Sequence, residues 1–367
     1  MKMTMRWFGE RHDTVTLRDI RQVPCVAGVV TSLMDMQPGE LWPVPEIADM
    51  HRRITEAGLC VEVIESVNVH EDIKLGATGR DEKIENYIGT MRRLAAVGIK
   101  VICYNFMPVL DWARTQLYYD LPDGAKTMYF SGENIREITP EELAARYAEQ
   151  SGGIALPGWE PERMARVRET IKRYSHIDQA QYWENVGYFI DAVIPWAQQL
   201  DIKMAIHPDD PPVPIFGLPR LINSAASIRR FLALNESPYH GITLCTGSLG
   251  ADPENDIPAI IRQSAGRIHF AHVRNLKHLP NGDFYESAHP TACGSLDMYA
   301  IVKALYDTKF DGYVRPDHGR LIWDETGRPG YGLYDRALGA AYLTGLWEAV
   351  RREAGCIVPV CETAVQS

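Results

Sequence analysis

No CxxC pair occurs in this chain of 367 residues, although it carries seven cysteines: Cys25, Cys60, Cys103, Cys245, Cys293, Cys356 and Cys361. An odd number of scattered thiols argues against a disulfide framework and suits a reducing cytosol. A basic excess is missing too. The formal net charge is −10, which leaves little to neutralise a phosphate backbone and argues against nucleic acid as a partner. A small anionic substrate stays compatible, because a few local Arg or Lys side chains can reverse the field inside a cleft. Long apolar runs are also absent. The longest candidate, CVAGVVTSLM, is far too short to span a bilayer, and the amino-terminal MKMTMRWFGERHD has no apolar core of signal-peptide length. A soluble, cytoplasmic protein without a membrane partner is expected. No GxGxxG follows the first strand candidate, and no GxxxxGK followed by Ser or Thr occurs anywhere, so the phosphate-binding turns of doubly wound sheets find no support. Neither a short-period repeat nor a low-complexity tract is found.

What is present is an alternation of short β-branched runs with longer amphipathic ones, the pattern of a parallel sheet with helical crossovers. Strand candidates fall at residues 5–9, 26–33, 59–66, 100–106, 202–207, 241–247, 267–275 and 312–319. Pro45 starts a helix that Gly58 ends, and a second helix from about Asp81 is closed by Gly98. Later helices are expected from about Tyr182, Ser224, Pro253, Ser295 and Tyr334. Eight strands in βα order predict an α/β fold of the (β/α)₈ TIM-barrel type, with residues 1–367 forming one barrel domain. The segment 107–177 interrupts the order after the fourth strand. Thr139-Pro-Glu-Glu and Pro161 mark helix starts within it, so it reads as a helical insertion, serving as a lid or a subunit contact. A homo-oligomer, a dimer, is expected from it.

Side chains alternate along a strand. Lys203, Ala205 and His207 therefore share a face, as do Thr243 and Cys245, then Phe270, His272 and Arg274, then Tyr313, Arg315 and Asp317. Each of His207, Cys245, His272 and Asp317 alone reads as an ordinary packed or capping residue. Together they are four metal-ligand types at four consecutive strand ends, which converge on a barrel axis. His269 competes with His272 but is one face off in register. A thiolate in the set disfavours Mg²⁺ and Ca²⁺, and Zn²⁺ tends toward a closed tetrahedron. Mn²⁺ or Fe²⁺ would keep four protein ligands and leave positions open for a substrate. Arg274 is a candidate for binding a substrate carboxylate, or else forms a surface or inter-loop salt bridge. His318, beside Asp317, reads as facing the substrate. Tyr331, between Gly330 and Gly332, can swing into the site on a mobile loop, or can simply pack a turn.

The fragments MRWFG, HPDDPP, LCTGSLG, FAHVRN, RPDHGR and GRPGYGLYDRALG, spread almost end to end, resemble D-mannonate dehydratases of the UxuA type. The resemblance implies a xylose-isomerase-like barrel, Mn²⁺ or Fe²⁺, and loss of water from D-mannonate to give 2-keto-3-deoxy-D-gluconate in glucuronate breakdown. It places the family's metal ligands on His207, Cys245, His272 and Asp317. Its catalytic His and Tyr fall on His318 and Tyr331, with Tyr334 near enough to leave the Tyr open. Which of the two is base and which acid is left open as well. Two other readings compete: a metal-dependent sugar isomerase or epimerase on the same barrel, and a non-catalytic, metal-stabilised binding protein.

Overall fold

The β-branched and apolar runs pair side by side as parallel strands. Eight of them close into a barrel in the order β1-β12-β9-β8-β7-β4-β3-β2. The structure is a computed structural model and describes residues 1–151, 156, 159 and 164–356. The barrel strands are β1 (Lys2–Arg6), β2 (Gly28–Thr31), β3 (Cys60–Glu65) and β4 (Val101–Tyr104), then β7 (Lys203–Ile206), β8 (His240–Cys245), β9 (Ile268–His272) and β12 (Tyr313–Arg315). All eight coincide with the strands expected from the sequence, apart from a shift at the first. That strand starts at Lys2 rather than at residue 5, and the chain turns away at Gly9, whose φ is +89°.

The helices between strands follow their caps. Pro45 opens Val44–Glu56, with Gly58 at φ +76° behind it, and Gly98 at φ +88° follows Arg80–Ala96. The helix expected near Pro253 begins instead at Ile257. There the Asp256 side chain accepts from the Ala259 N–H and Pro258 occupies the first turn, a stronger start signal than a lone proline. Pro161 lies outside the described residues. No helix among the described residues is long and apolar enough to cross a membrane.

The segment after β4 departs from the helical expectation. It holds the helices Pro140–Gln150 and Val167–Tyr174, the first with a Thr139/Glu142 capping box. It also holds a hairpin of β5 (Gln116–Asp120) and β6 (Lys126–Phe130). A second hairpin, β10 (Asn275–His278) and β11 (Phe284–Ser287), occupies residues that read as a loop. The two hairpins join as one antiparallel sheet, β10-β11-β6-β5, at the carboxyl end of the barrel.

Inside the barrel, Val30, Val63, Cys103, Ala205, Phe270 and Tyr313 belong to one buried cluster. Two residues further along the same strands come Ser32, Glu65, Asn105, His207, His272 and Arg315. The period of two places polar groups directly above the apolar layer. Cys245 stands in the same relation to Thr243. The strand register thus builds the floor of the site.

Candidate active site

His207, Cys245 and His272 leave the ends of three adjacent strands with their ligand atoms all within 4.8 Å of one another. Their hydrogen-bond partners fix where the lone pairs point. Nδ1 of His207 lies 2.7 Å from the Pro208 carbonyl, which can only accept, so this nitrogen carries the proton and Nε2 is bare. Nε2 of His272 lies 3.4 Å from a Glu65 carboxylate oxygen, and its Nδ1 lies 3.3 Å from Arg315 Nη2. His207 Nε2 and His272 Nδ1 face each other at 3.1 Å. The Asp317 carboxylate joins them, 3.8 Å from His272 Nδ1 and 3.5 Å from Cys245 Sγ. Ser248 donates to the sulfur through its N–H at 3.4 Å and its hydroxyl at 3.0 Å. Two imidazoles, a cysteine sulfur and a carboxylate converge here, and Arg315 and Arg274 flank them through His272 and Asp317; by its chemistry this donor set fits a divalent metal. Asp317 adopts φ +59°, a left-handed turn that Asp tolerates better than most residues. That turn is how the residue after Pro316 brings its carboxylate back over the barrel.

His269 takes no part. Its ring packs against Gly241, where an added Cβ would lie 2.3 Å from Nε2, and burial pushes its pKa down to about 3. Glu65 and Cys103 also come within 4.8 Å of His272. Cys103, however, belongs to the apolar layer below, and burial pushes its thiol well up.

Of the two readings open for Arg274, a substrate ligand or a salt bridge, the structure shows ion pairs. The side chain is 1% exposed, and each guanidinium nitrogen has a carboxylate partner: Nε to Asp317 at 2.5 Å, Nη1 to Glu286 at 2.8 Å and Nη2 to Asp210 at 3.0 Å. Paired in this way, it ties three carboxylates together. Arg114, fully buried, completes the network by pairing with Asp210 and Glu286, each at 2.7 Å. Burial alone would push these carboxylates up. For Glu286, Arg274, His318 and Arg114 outweigh it and hold the group at about 2. For Asp317, His318, Arg315 and Arg274 hold it well below the usual range.

His318 stands beside the donor set with both ring nitrogens engaged. Nδ1 meets the Glu286 carboxylate at 2.8 and 2.9 Å, and Nε2 meets the Tyr331 hydroxyl at 3.0 Å. A carboxylate at Nδ1 holds the proton there, so Nε2 is the basic nitrogen. Burial pushes the Tyr331 phenol up to about 12, which keeps it protonated. Tyr334 is 43% exposed and packs at a tilt against Trp323, so Tyr331 is the tyrosine that reaches His318. Its loop is tied down rather than swinging. Arg336 donates to the carbonyls of Tyr331 and Gly332, each at 2.7 Å, and Gly319 N–H bonds Gly330 at 2.9 Å. Gly330, at φ +76°, is required because a Cβ would meet the Met128 methyl at 2.6 Å and the His318 ring at 3.2 Å.

The sequence reading missed Glu286, Glu65 and Asp210. Glu65 had a usable signal, a carboxylate in face register with Val63 at a strand end. Asp210 stood in view in HPDDPP. Glu286 lies in the hairpin taken for a loop. The cavity in front of the donor set is walled in part by Arg6, Glu65, His207, Arg315, His318 and Tyr331.

Comparison with known proteins bears on what this arrangement serves. The family model of D-mannonate dehydratase (UxuA) matches residues 1–355. A mannonate dehydratase of Thermotoga neapolitana is 57% identical over 354 residues, covering 96% of this chain and 98% of its own length. The crystal structure of mannonate dehydratase from Streptococcus suis serotype 2 superposes with a TM-score of 0.89 at 43% identity, over 100% of this chain and 99% of that one. An L-ribulose 3-epimerase structure reaches a TM-score of 0.53 at 14% identity over 96% of each chain, and shares the fold alone.

Proposed function

This chain belongs to the D-mannonate dehydratase family, and from that premise we propose that it removes water from D-mannonate to give 2-keto-3-deoxy-D-gluconate, a step of glucuronate breakdown. The observation that carries the reading is the Glu286–His318–Tyr331 chain lying against a four-donor cluster. The proton on C2, next to a carboxylate, is very weakly acidic. Mn²⁺ or Fe²⁺, held by His207, Cys245, His272 and Asp317, would supply the positive charge against the electron density that builds on the carboxylate as this proton leaves.

The protein's own groups handle the protons. Nε2 of His318 takes the C2 proton, and Glu286 at Nδ1 stabilises the resulting imidazolium. The Tyr331 hydroxyl, kept protonated by burial, gives its proton to the C3 hydroxyl, which departs as water. The imidazolium proton then returns across the 3.0 Å contact to Tyr331, so the pair is reset. The enol left between C2 and C3 ketonises to the 2-keto acid. His318 is thus the base and Tyr331 the acid.

Single variants separate the two roles. In heavy water, Tyr331→Phe should still exchange the C2 hydrogen while losing about 10²–10⁴-fold in water loss, and His318→Ala should lose both, in line with the usual size of acid–base contributions. Wild-type turnover in both variants would refute the assignment. We further propose a cytoplasmic homodimer in which the 107–177 segment serves as a lid or a subunit contact. Sedimentation at a monomer's mass would overturn the dimer.

A further inference from the structure

The cavity has a positive side that the proton chemistry does not use. Arg6, the last residue of β1, lines it together with Phe8 and Arg328. Arg6 is 5% exposed. Three other buried guanidiniums are matched by carboxylates, Arg114 and Arg274 by Asp210 and Glu286, Arg315 by Glu65 and Asp317, while Arg336, away from the cavity lining, has each nitrogen on a backbone carbonyl. Among the described residues no carboxylate forms an ion pair with Arg6. Its Nη1 donates to the carbonyls of Trp7 at 2.8 Å and Val30 at 3.2 Å, while Nη2 meets the Met34 thioether sulfur at 3.7 Å, a weak acceptor. Burial lowers its pKa, whereas the paired Arg114, Arg274 and Arg315 are raised by their carboxylates despite burial. A buried charge without a close counter-ion costs stability, and a cavity wall is where a ligand can offset that cost.

The neighbourhood says where such a ligand would sit. The guanidiniums of Arg6 and Arg328 both pack on the Phe8 ring, 4.2 and 4.0 Å from its centroid. The same ring meets Tyr331 edge-on at 4.7 Å. The Phe8 ring thus touches both the Arg6 guanidinium and the ring of Tyr331, whose hydroxyl meets His318. We propose that Arg6, with Arg328 beside it, binds the carboxylate of the sugar-acid substrate and sets the preference for an acid over a neutral sugar. The proposal rests on the dehydratase reading for the identity of the ligand. A carboxylate at Arg6 gives Nη2 the strong acceptor it lacks. It also leaves C2 and C3, the next two carbons, in front of the acid–base pair.

The test compares a charged with an uncharged ligand, neither of which can lose water. Calorimetry measures binding of 3-deoxy-D-mannonate and of its amide to the metal-loaded enzyme. The unaltered protein should prefer the acid by at least about 30-fold, the scale of a charge-assisted hydrogen-bond pair. In Arg6→Met the preference should fall at least about tenfold from the natural ratio, the rest being held by Arg328 and the metal, and the ratio taken within one protein cancels general damage. Should that variant not fold, Arg6→Lys, which keeps the charge but not the planar fork, should lower the preference at least about threefold. A wild-type ratio in the variant that folds would overturn the proposal. Acid-selective binding through Arg6 in a protein that forms no keto acid from D-mannonate would support this site while refuting the reaction.

Discussion

Glu286 is the residue on which the charge network turns. It is 2% exposed and answers Arg114, Arg274 and His318 at once. Removing one partner of a buried ion pair leaves the others uncompensated, a loss of about 3–5 kcal/mol. Glu286→Gln should therefore unfold at markedly lower urea. The pH dependence carries the same signature. Its pKa falls from an ordinary 4.5 to about 2, so the folded state binds fewer protons than the unfolded state between those values. The contribution is fully present above about pH 4.5 and is lost as pH falls toward 2, on the order of 3 kcal/mol. Urea titrations across that window should show the loss in the natural protein and a smaller one in Glu286→Gln. Equal acid sensitivity in the two would contradict the assignment.

At the scale of elements, the loop Gly330-Tyr331-Gly332 and the two hairpins hold the Glu286–His318–Tyr331 chain. Gly330→Ala combines a left-handed φ with a Cβ against Met128 and the His318 ring. We expect a loss of about 1–2 kcal/mol in stability and a drop in turnover of tenfold or more. Unchanged turnover would show that the ring tolerates displacement. The hairpins explain much of what the sequence reading found and missed. The barrel strands were legible because a fully buried parallel strand is a short β-branched run, and the period of two then named His207, Cys245, His272 and Asp317. The antiparallel sheet was less legible, since its strands NLKH and FYES are only four residues long and bury polar residues beside apolar ones, without a clean alternation. Its turn was there to be read: Asn281 and Gly282, at φ +67° and +79°, are an Asn-Gly hairpin signal. Overlooking that turn hid Glu286. It also hid one of the carboxylates that Arg274 pairs with, so the sequence left a substrate ligand and a salt bridge both open for that residue. Thr127 on β6 donates to the Glu286 carbonyl at 2.6 Å, which shows how the insertion supports the site from above.

Across the whole molecule, the barrel brings together side chains that lie far apart in the chain. A net charge of −10 surrounds a cavity whose wall is partly guanidinium, which suits an anionic sugar acid. His207, Cys245 and His272 converge at their strand ends with Asp317 against Cys245 and His272, and the His318–Tyr331 pair stands in the same cavity. The most direct measurement is keto-acid formation from D-mannonate by chelator-stripped protein, before and after adding back Mn²⁺, Fe²⁺, Zn²⁺ or Mg²⁺. The account predicts no product from stripped protein and recovery with Mn²⁺ or Fe²⁺. Full turnover by the stripped protein, or no product with any of the four ions, would contradict it.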